Sequence, residues 1–213
     1  MLKDTILCLK EVAVDFIPIL MFFPENDLDT LKKLILNPLR RLYPEFMEIL
    51  RVVPQKGTDM VKRFRNAFYF SFNKIKLDAT IIIGSDTPHL QPNLIKQSIK
   101  ILHQSSKAAV LGPSQNGGFY LLGHRKPFIQ NIGMIFQKKS SYNELGNAME
   151  LLNANNKLVH ILPEVTDVDT FNNLKTVRVI IKILSLTNSE STDFYVPRFT
   201  SNMLDVPEEP IWI

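Results

Sequence analysis

The sequence predicts a three-layer α/β fold, a mainly parallel sheet covered by helices on both faces. Short apolar runs bounded by turn residues alternate with helix-patterned segments of roughly ten to fifteen residues, the signature of βαβ units. The three consecutive isoleucines Ile81-Ile82-Ile83, stopped by Gly84-Ser85-Asp86-Thr87-Pro88, read as a strand buried on both faces. At 213 residues, 45% hydrophobic and 22% charged, the chain is long enough for one substantial core and has an ordinary globular balance.

The elements follow in order. Residues 2–14 carry Leu2, Ile6, Leu9 and Val12 at amphipathic helix spacing, and Cys8 falls on the apolar side as a core filler. Residues 16–23, FIPILMFF, form an apolar run that reads as a buried strand, with Pro18 near its start. Residues 27–36 read as a helix that ends before Pro38, and residues 46–53, FMEILRVV, as a weaker strand. After the turn Pro54-Gln55-Lys56-Gly57, Thr58 or Asp59 can cap a helix through Phe72. Pro92 suits the first turn of a helix reaching about Gln104. Strands are expected at residues 108–111 and 119–122 on either side of Gly117-Gly118, and at 158–162. Helices are expected at 142–153 and 170–186. The domain therefore spans 1–186, and the aperiodic, proline-containing segment 187–213 reads as a tail draped on the surface or partly disordered.

Charge and composition narrow the function classes. The net charge of +4 and pI near 9.1 come from dispersed pairs, Lys32-Lys33, Arg40-Arg41, Lys62-Arg63 and Lys138-Lys139, with no interleaved aromatics. That pattern disfavours nucleic acid as a partner and suits phosphorylated ligands equally well. No apolar stretch approaches the length of a membrane span, the N-terminus lacks a secretory cleavage pattern, and a single cysteine forms no internal disulfide, so the expected location is cytoplasmic.

The chemistry-bearing residues cluster at strand ends. Asp86 closes the triple-isoleucine strand where open α/β sheets bind ligands, and its carboxylate suits a hard cation, Mg²⁺ or Mn²⁺. Asp167 and Asp169 follow another strand and can supply further carboxylates to the same edge. A lone aspartate at such a place is more often a turn former, and these two can equally cap the next helix. Gly117-Gly118 permits close backbone approach to a ligand or a simple tight turn. Among the histidines only His89, three residues from Asp86, lies near this site. No nucleophile triad, Walker loop or GxGxxG is present.

Four segments together carry a resemblance. PQKGTDMVKRFRNAF, GSDTPHL, VLGPSQNGGFYLLG and DVDTFNNL, in that order, are similar to the PQxGxDLGERxxxAF, GSDxPxL, VLGPxxDGGYYLxG and DxDTPxDL signatures of a GT-A-like glycosyltransferase family. That family is labelled a domain of unknown function or selenodomain-associated transferases, and is related to the molybdenum-cofactor and phospholactate nucleotidyltransferases. The resemblance covers about residues 1–176. It implies a Rossmann-like nucleotide-diphospho-sugar transferase fold, a nucleotide-sugar or nucleotide donor with a small-molecule acceptor, and a divalent metal at the diphosphate. It further implies Asp86 as the principal metal or diphosphate carboxylate, Asp169 its partner and Asp167 near by. Ser85, Gln55, Gly57 and Arg63 would flank the nucleotide, and Gly117, Gly118 and Tyr120 would shape the acceptor side.

Two departures from the family pattern matter. Asn116 stands in place of the aspartate of DGG and cannot act as an anionic ligand or general base, so the catalytic position it occupies is altered. The family's first strand and basic phosphate loop also have no counterpart, which implies that Met1 is not the natural start. Their lack leaves the edges of two neighbouring strands unpaired unless another segment, with VRVIIKILSL as a candidate, fills the gap. The competing reading is a catalytically inactive relic that serves as a binding or interaction module.

Overall fold

The computed structural model describes residues 1–13, 16–137, 143–187 and 194–204. Val14, the pair Lys138-Lys139, Tyr142 and most of the expected tail lie outside these. Helix α1 is Leu2–Lys10, followed by strand β1, Ile19–Phe22. The next helical path runs through α2 (Leu28–Leu31), a π turn and α3 (Asn37–Leu42), then α4 (Pro44–Ile49). Strand β2 (Arg51–Pro54), helix α5 (Met60–Tyr69), strand β3 (Ala79–Ile83) and helix α6 (Pro92–Gln104) follow. Strands β4 (Ala108–Pro113) and β5 (Phe119–Arg125) precede α7 (Glu144–Ala154) and β6 (Leu158–Ile161). Helices α8 (Phe171–Thr187) and α9 (Arg198–Leu204) complete the order.

The strands form two sheets. β1 and β2 pair in parallel over four residues, and the other four strands are ordered β3-β5-β4-β6. β4 and β6 are parallel, but β5 runs antiparallel to both β3 and β4, so the larger sheet is mixed rather than mainly parallel. The reversal follows from the short connection after Pro113, which turns back at Gly117 without a crossover helix. The α/β layering itself holds. Cys8, Leu90, Ile95, Leu102 and Tyr120 bury one face beneath α1 and α6. On the opposite face Phe64, Phe68, Phe72, Ile132 and Leu152 pack beneath α5 and α7. A third cluster, with Ile6, Leu39, Phe46, Met47 and Leu50, lies beside the β1–β2 pair. Among the described residues no helix is long and apolar enough to cross a membrane.

Several expectations need correction. Residues 46–49 are helical because Pro44 occupies the first turn of α4 and sends Phe46, Met47 and the following Leu50 to the core; the strand begins only at Arg51. Pro38 does not end the preceding helix. The π turn at Lys32–Leu36 lets Asn37 N–H reach back to Lys32 O, and that wider turn admits a ring that carries no N–H. VRVIIKILSL lies in α8 and fills no strand position. Within the expected tail, α9 is held by buried Asp4, whose carboxylate accepts from Phe199 N–H (3.1 Å), Thr200 N–H (2.7 Å) and Thr200 Oγ1 (2.6 Å). Tyr195 Oη donates to Asp4 O at 2.8 Å. A charged N-cap supplied from α1 satisfies the donors at the start of α9 and ties the two helices together.

Candidate functional site

Where β3 ends, the chain turns at Gly84-Ser85-Asp86, and the Asp86 side chain folds back so that its Oδ1 would lie 2.6 Å from a Cβ on Gly84. Gly84 N–H still donates to Tyr120 O (2.9 Å), so β3 stays paired with β5 up to the turn, and Thr5 Oγ1 steadies Ser85 through its carbonyl at 3.4 Å. Asp86 is thereby fixed at the mouth of a cavity of about 1650 Å³.

The segment after β6 is brought to the same place by backbone bonds. Val165 N–H donates to Pro113 O (3.1 Å) and Val168 N–H to Asp86 O (3.0 Å). Val168 therefore sits against Asp86, with Asp167 and Asp169 on either side of it in sequence, and all three carboxylates line the cavity. Burial raises the Asp86 carboxyl above the usual carboxylate range; a local backbone hydrogen bond opposes this, and the charges of Asp167 and Asp169 raise it further. Asp167 Oδ1 is buried with no hydrogen-bond partner. The fourth position is Asn116, whose Nδ2 donates to Asp169 Oδ2 at 3.2 Å.

This donor set suits a hard cation. Three carboxylates line one cavity, one Asp167 oxygen is buried and unsatisfied, and the charges of Asp167 and Asp169 disfavour that of Asp86, which a divalent ion would reverse. Among the described residues no three acidic, histidine or cysteine side chains form a ready-made cage. That is compatible with Mg²⁺ or Mn²⁺ held by one or two carboxylates and completed by water and substrate oxygens.

The remaining expected residues are placed differently from one another. Gln55, Ser85, Arg63, Asn116, Gly117 and Gly118 all line the cavity. Gln55 is held by its N–H bond to Phe22 O at 2.7 Å. Arg63 stacks its guanidinium 4.3 Å from the Phe23 ring centroid and leaves Nε buried and unpaired. Gly57 does not line the cavity; at φ +137° it takes a conformation that favours glycine, and a Cβ there would lie 2.7 Å from Arg63 N at the start of α5. Tyr120 also lines the cavity, while its ring packs in the core above Gly112 and its hydroxyl donates to Pro163 O at 3.1 Å. His89 is buried, does not line the cavity, and has its pKa lowered by burial to about 4.

Sequence reasoning missed Asn143 and Glu144. Asn143 caps α7 by accepting from Gly146 N–H (3.0 Å), and Leu145 N–H donates to Gly117 O at 3.0 Å. The glycine turn thus docks on the first turn of α7, and Glu144 joins the cavity wall. Its carboxyl is raised by burial and then by Asp169. The Asn-Glu pair at a helix start was the available signal, but nothing in the sequence joins it to Gly117.

Comparison with known proteins agrees with this fold. The chain is similar to the solved structure of a protein from Desulfovibrio desulfuricans G20 named as a nucleotide-diphospho-sugar transferase, with 22% identity and a TM-score of 0.68, covering 94% of this chain and 77% of that one. It is also similar to 4-diphosphocytidyl-2C-methyl-D-erythritol synthase, with 9% identity and a TM-score of 0.56, covering 84% of this chain and 89% of that one. At these identities the likeness establishes the Rossmann-like nucleotide-diphospho-sugar transferase fold. No curated protein matches the chain. A family model described as "Uncharacterized protein conserved in bacteria (DUF2064)" matches residues 18–138, more than half of the chain, and the protein belongs to that family.

Proposed function

We propose that the protein is a metal-dependent transferase that binds a nucleotide-sugar or nucleotide donor at the mouth beside Asp86 and passes part of it to a small-molecule acceptor. The observation that carries this reading is the convergence of Asp86, Asp167 and Asp169 in one cavity with Gln55 and Arg63.

The residues divide the work by chemistry. Asp86 and Asp169 would hold Mg²⁺ or Mn²⁺, with Asp167 and its unsatisfied oxygen near by and the coordination completed by water and substrate oxygens. When bound, the ion supplies positive charge to offset that of a leaving diphosphate. Arg63 carries a guanidinium on the cavity wall that suits a phosphate oxygen, its stacking on Phe23 limiting its motion. Gln55, at the end of β2, offers both a donor and an acceptor for a base or ribose edge. Gly117 and Gly118 would border the acceptor side, Gly117 at φ +77° in a conformation that favours glycine and packed so closely that a Cβ on it would meet Asn143 Nδ2 at 2.2 Å. Asn116 orients Asp169 by its hydrogen bond and takes no proton, so among the described cavity residues Glu144 is the carboxylate suited to receive one from an acceptor hydroxyl.

Isothermal titration with nucleoside diphosphates and nucleotide-sugars, with and without Mn²⁺, tests this. The expected result is binding that requires Mn²⁺ and is lost in Asp86→Ala. Binding unaffected by that change overturns the reading, and no binding of any member of the series favours the inactive binding module instead.

A further inference from the structure

Helix α8 is apolar on two sides. Val177 and Ile181, four residues apart and both buried, set its inner face. Val179, Ile183 and Leu186 recur at i, i+4 and i+7 on the opposed face, and each exposes more than half of its surface to solvent. Phe171, in the first turn, is equally exposed. A helix with apolar residues on opposed faces is built to be covered on both.

Beside the outer apolar stripe runs a basic one. Lys175, Arg178 and Lys182 recur at i, i+3 and i+7 and are exposed, and α8 contains no aspartate or glutamate. Lys175 Nζ lies 4.6 Å from the centroid of the Phe171 ring, so the two stripes meet at the start of the helix. The partner that suits this face is apolar along one line and acidic along the next.

One segment of the chain has that composition. Residues 205–213, DVPEEPIWI, lie outside the described residues and directly follow α9. They combine Asp205, Glu208 and Glu209 with Val206, Ile211, Trp212 and Ile213, and carry no basic residue. The helix they follow packs against both α8 and α1, and Asp4 fixes its first turn. Nine residues reach at most about 30 Å and the seventeen of α8 measure about 25 Å, so from Leu204 the exposed face is within range.

We propose that the exposed face of α8 is the docking surface for segment 205–213 of the same chain. Ile211, Trp212 and Ile213 cover Val179, Ile183 and Leu186, and the acidic residues meet Lys175, Arg178 and Lys182. Because α8 starts two residues after Asp169, the contact also holds the helix that leads out of the carboxylate loop.

Trp212 is the only tryptophan of the chain, so its fluorescence reports this contact alone. In the full chain its emission should be blue-shifted from that of a synthetic peptide of residues 205–213, and acrylamide should quench it at least threefold less, independently of protein concentration. Ile183→Glu, at an exposed position, should return both values to those of the peptide while the circular dichroism of the chain stays unchanged. Lys175→Glu with Lys182→Glu should reduce the shift, and Glu208→Lys with Glu209→Lys added to that variant should restore it. Peptide-like emission in the unsubstituted chain, or a blue shift that survives Ile183→Glu, overturns the proposal. A blue shift lost on dilution assigns the face to a second copy, and one that appears only with vesicles of anionic lipid assigns it to a membrane surface; either overturns the occupant proposed.

Discussion

The two sheets are built to different standards. In the larger sheet Ala108 through Leu111 and Tyr120 through Leu122 are almost wholly removed from solvent, and every β4 residue from Ala109 to Leu111 has partners on both sides. In the smaller sheet all four β1 residues are only half-buried, and each has one partner. A two-stranded sheet is marginal on its own, so β1 and β2 depend on Leu39, Phe46 and Met47 from the helices beside them. Asp86 follows β3, itself half-buried with one partner, and Asp167 and Asp169 are tied to Pro113 of β4 and to Asp86 through Val165 and Val168, whereas Gln55 and the ring under Arg63 belong to the smaller sheet. The carboxylates are thus linked to the well-buried β4 through Val165, and Gln55 and Arg63 meet them from the sheet with the weaker support.

Acid should produce the largest effect, and it should strike the larger sheet. His124 stacks on Phe68 and Phe72, and His89 follows β3; burial lowers both pKa values to about 4. A depressed histidine contributes stability that is complete above its ordinary value near 6.5 and is lost as pH falls toward 4. The loss should reach roughly 3 kcal/mol for each residue, accompanied by uptake of about two protons on unfolding. Urea melts between pH 7 and 4 measure this, and a flat profile would break the contrast.

Core truncation sharpens the same difference. Leu122→Ala should cost about 2–5 kcal/mol, because its side chain is fully buried between the layers. Leu20→Ala, on the half-buried β1, should cost ~1 kcal/mol. Equal costs would show that the smaller sheet is as well supported as the larger.

The smallest expected effect is a gain. Without metal, Asp86→Asn removes a carboxylate that burial and two like charges disfavour, and should raise Tm by about 2–4 °C for each kcal/mol relieved. A residue that lowers stability while present fits a functional carboxylate and not a turn former. A fall in Tm would favour the structural role.

Some of this was legible in the sequence for local reasons. Pro92 and an unbroken apolar period set α6 to its observed bounds, and the Asp59 side chain caps α5 through Lys62 N–H at 2.8 Å. Asp86 was found because a triple-isoleucine strand stops there. What was hidden depends on contacts distant in sequence. The direction of β5 is not written in its side-chain pattern, α9 is capped by Asp4 almost 200 residues away, and Glu144 reaches the site only because Gly117 docks on α7. The helix at Pro44 was masked by an apolar run that suits either period.

Manganese relaxation measured by NMR tests the central claim most directly. With a nucleoside diphosphate present, Mn²⁺ should broaden the amide signals of Asp86, Asn116 and Asp167 to Asp169 first and most strongly, and Asp86→Asn should abolish the effect. Broadening centred elsewhere on the surface, or broadening of these amides that survives in Asp86→Asn, would contradict the assignment of Asp86 as the metal-binding carboxylate of a transferase.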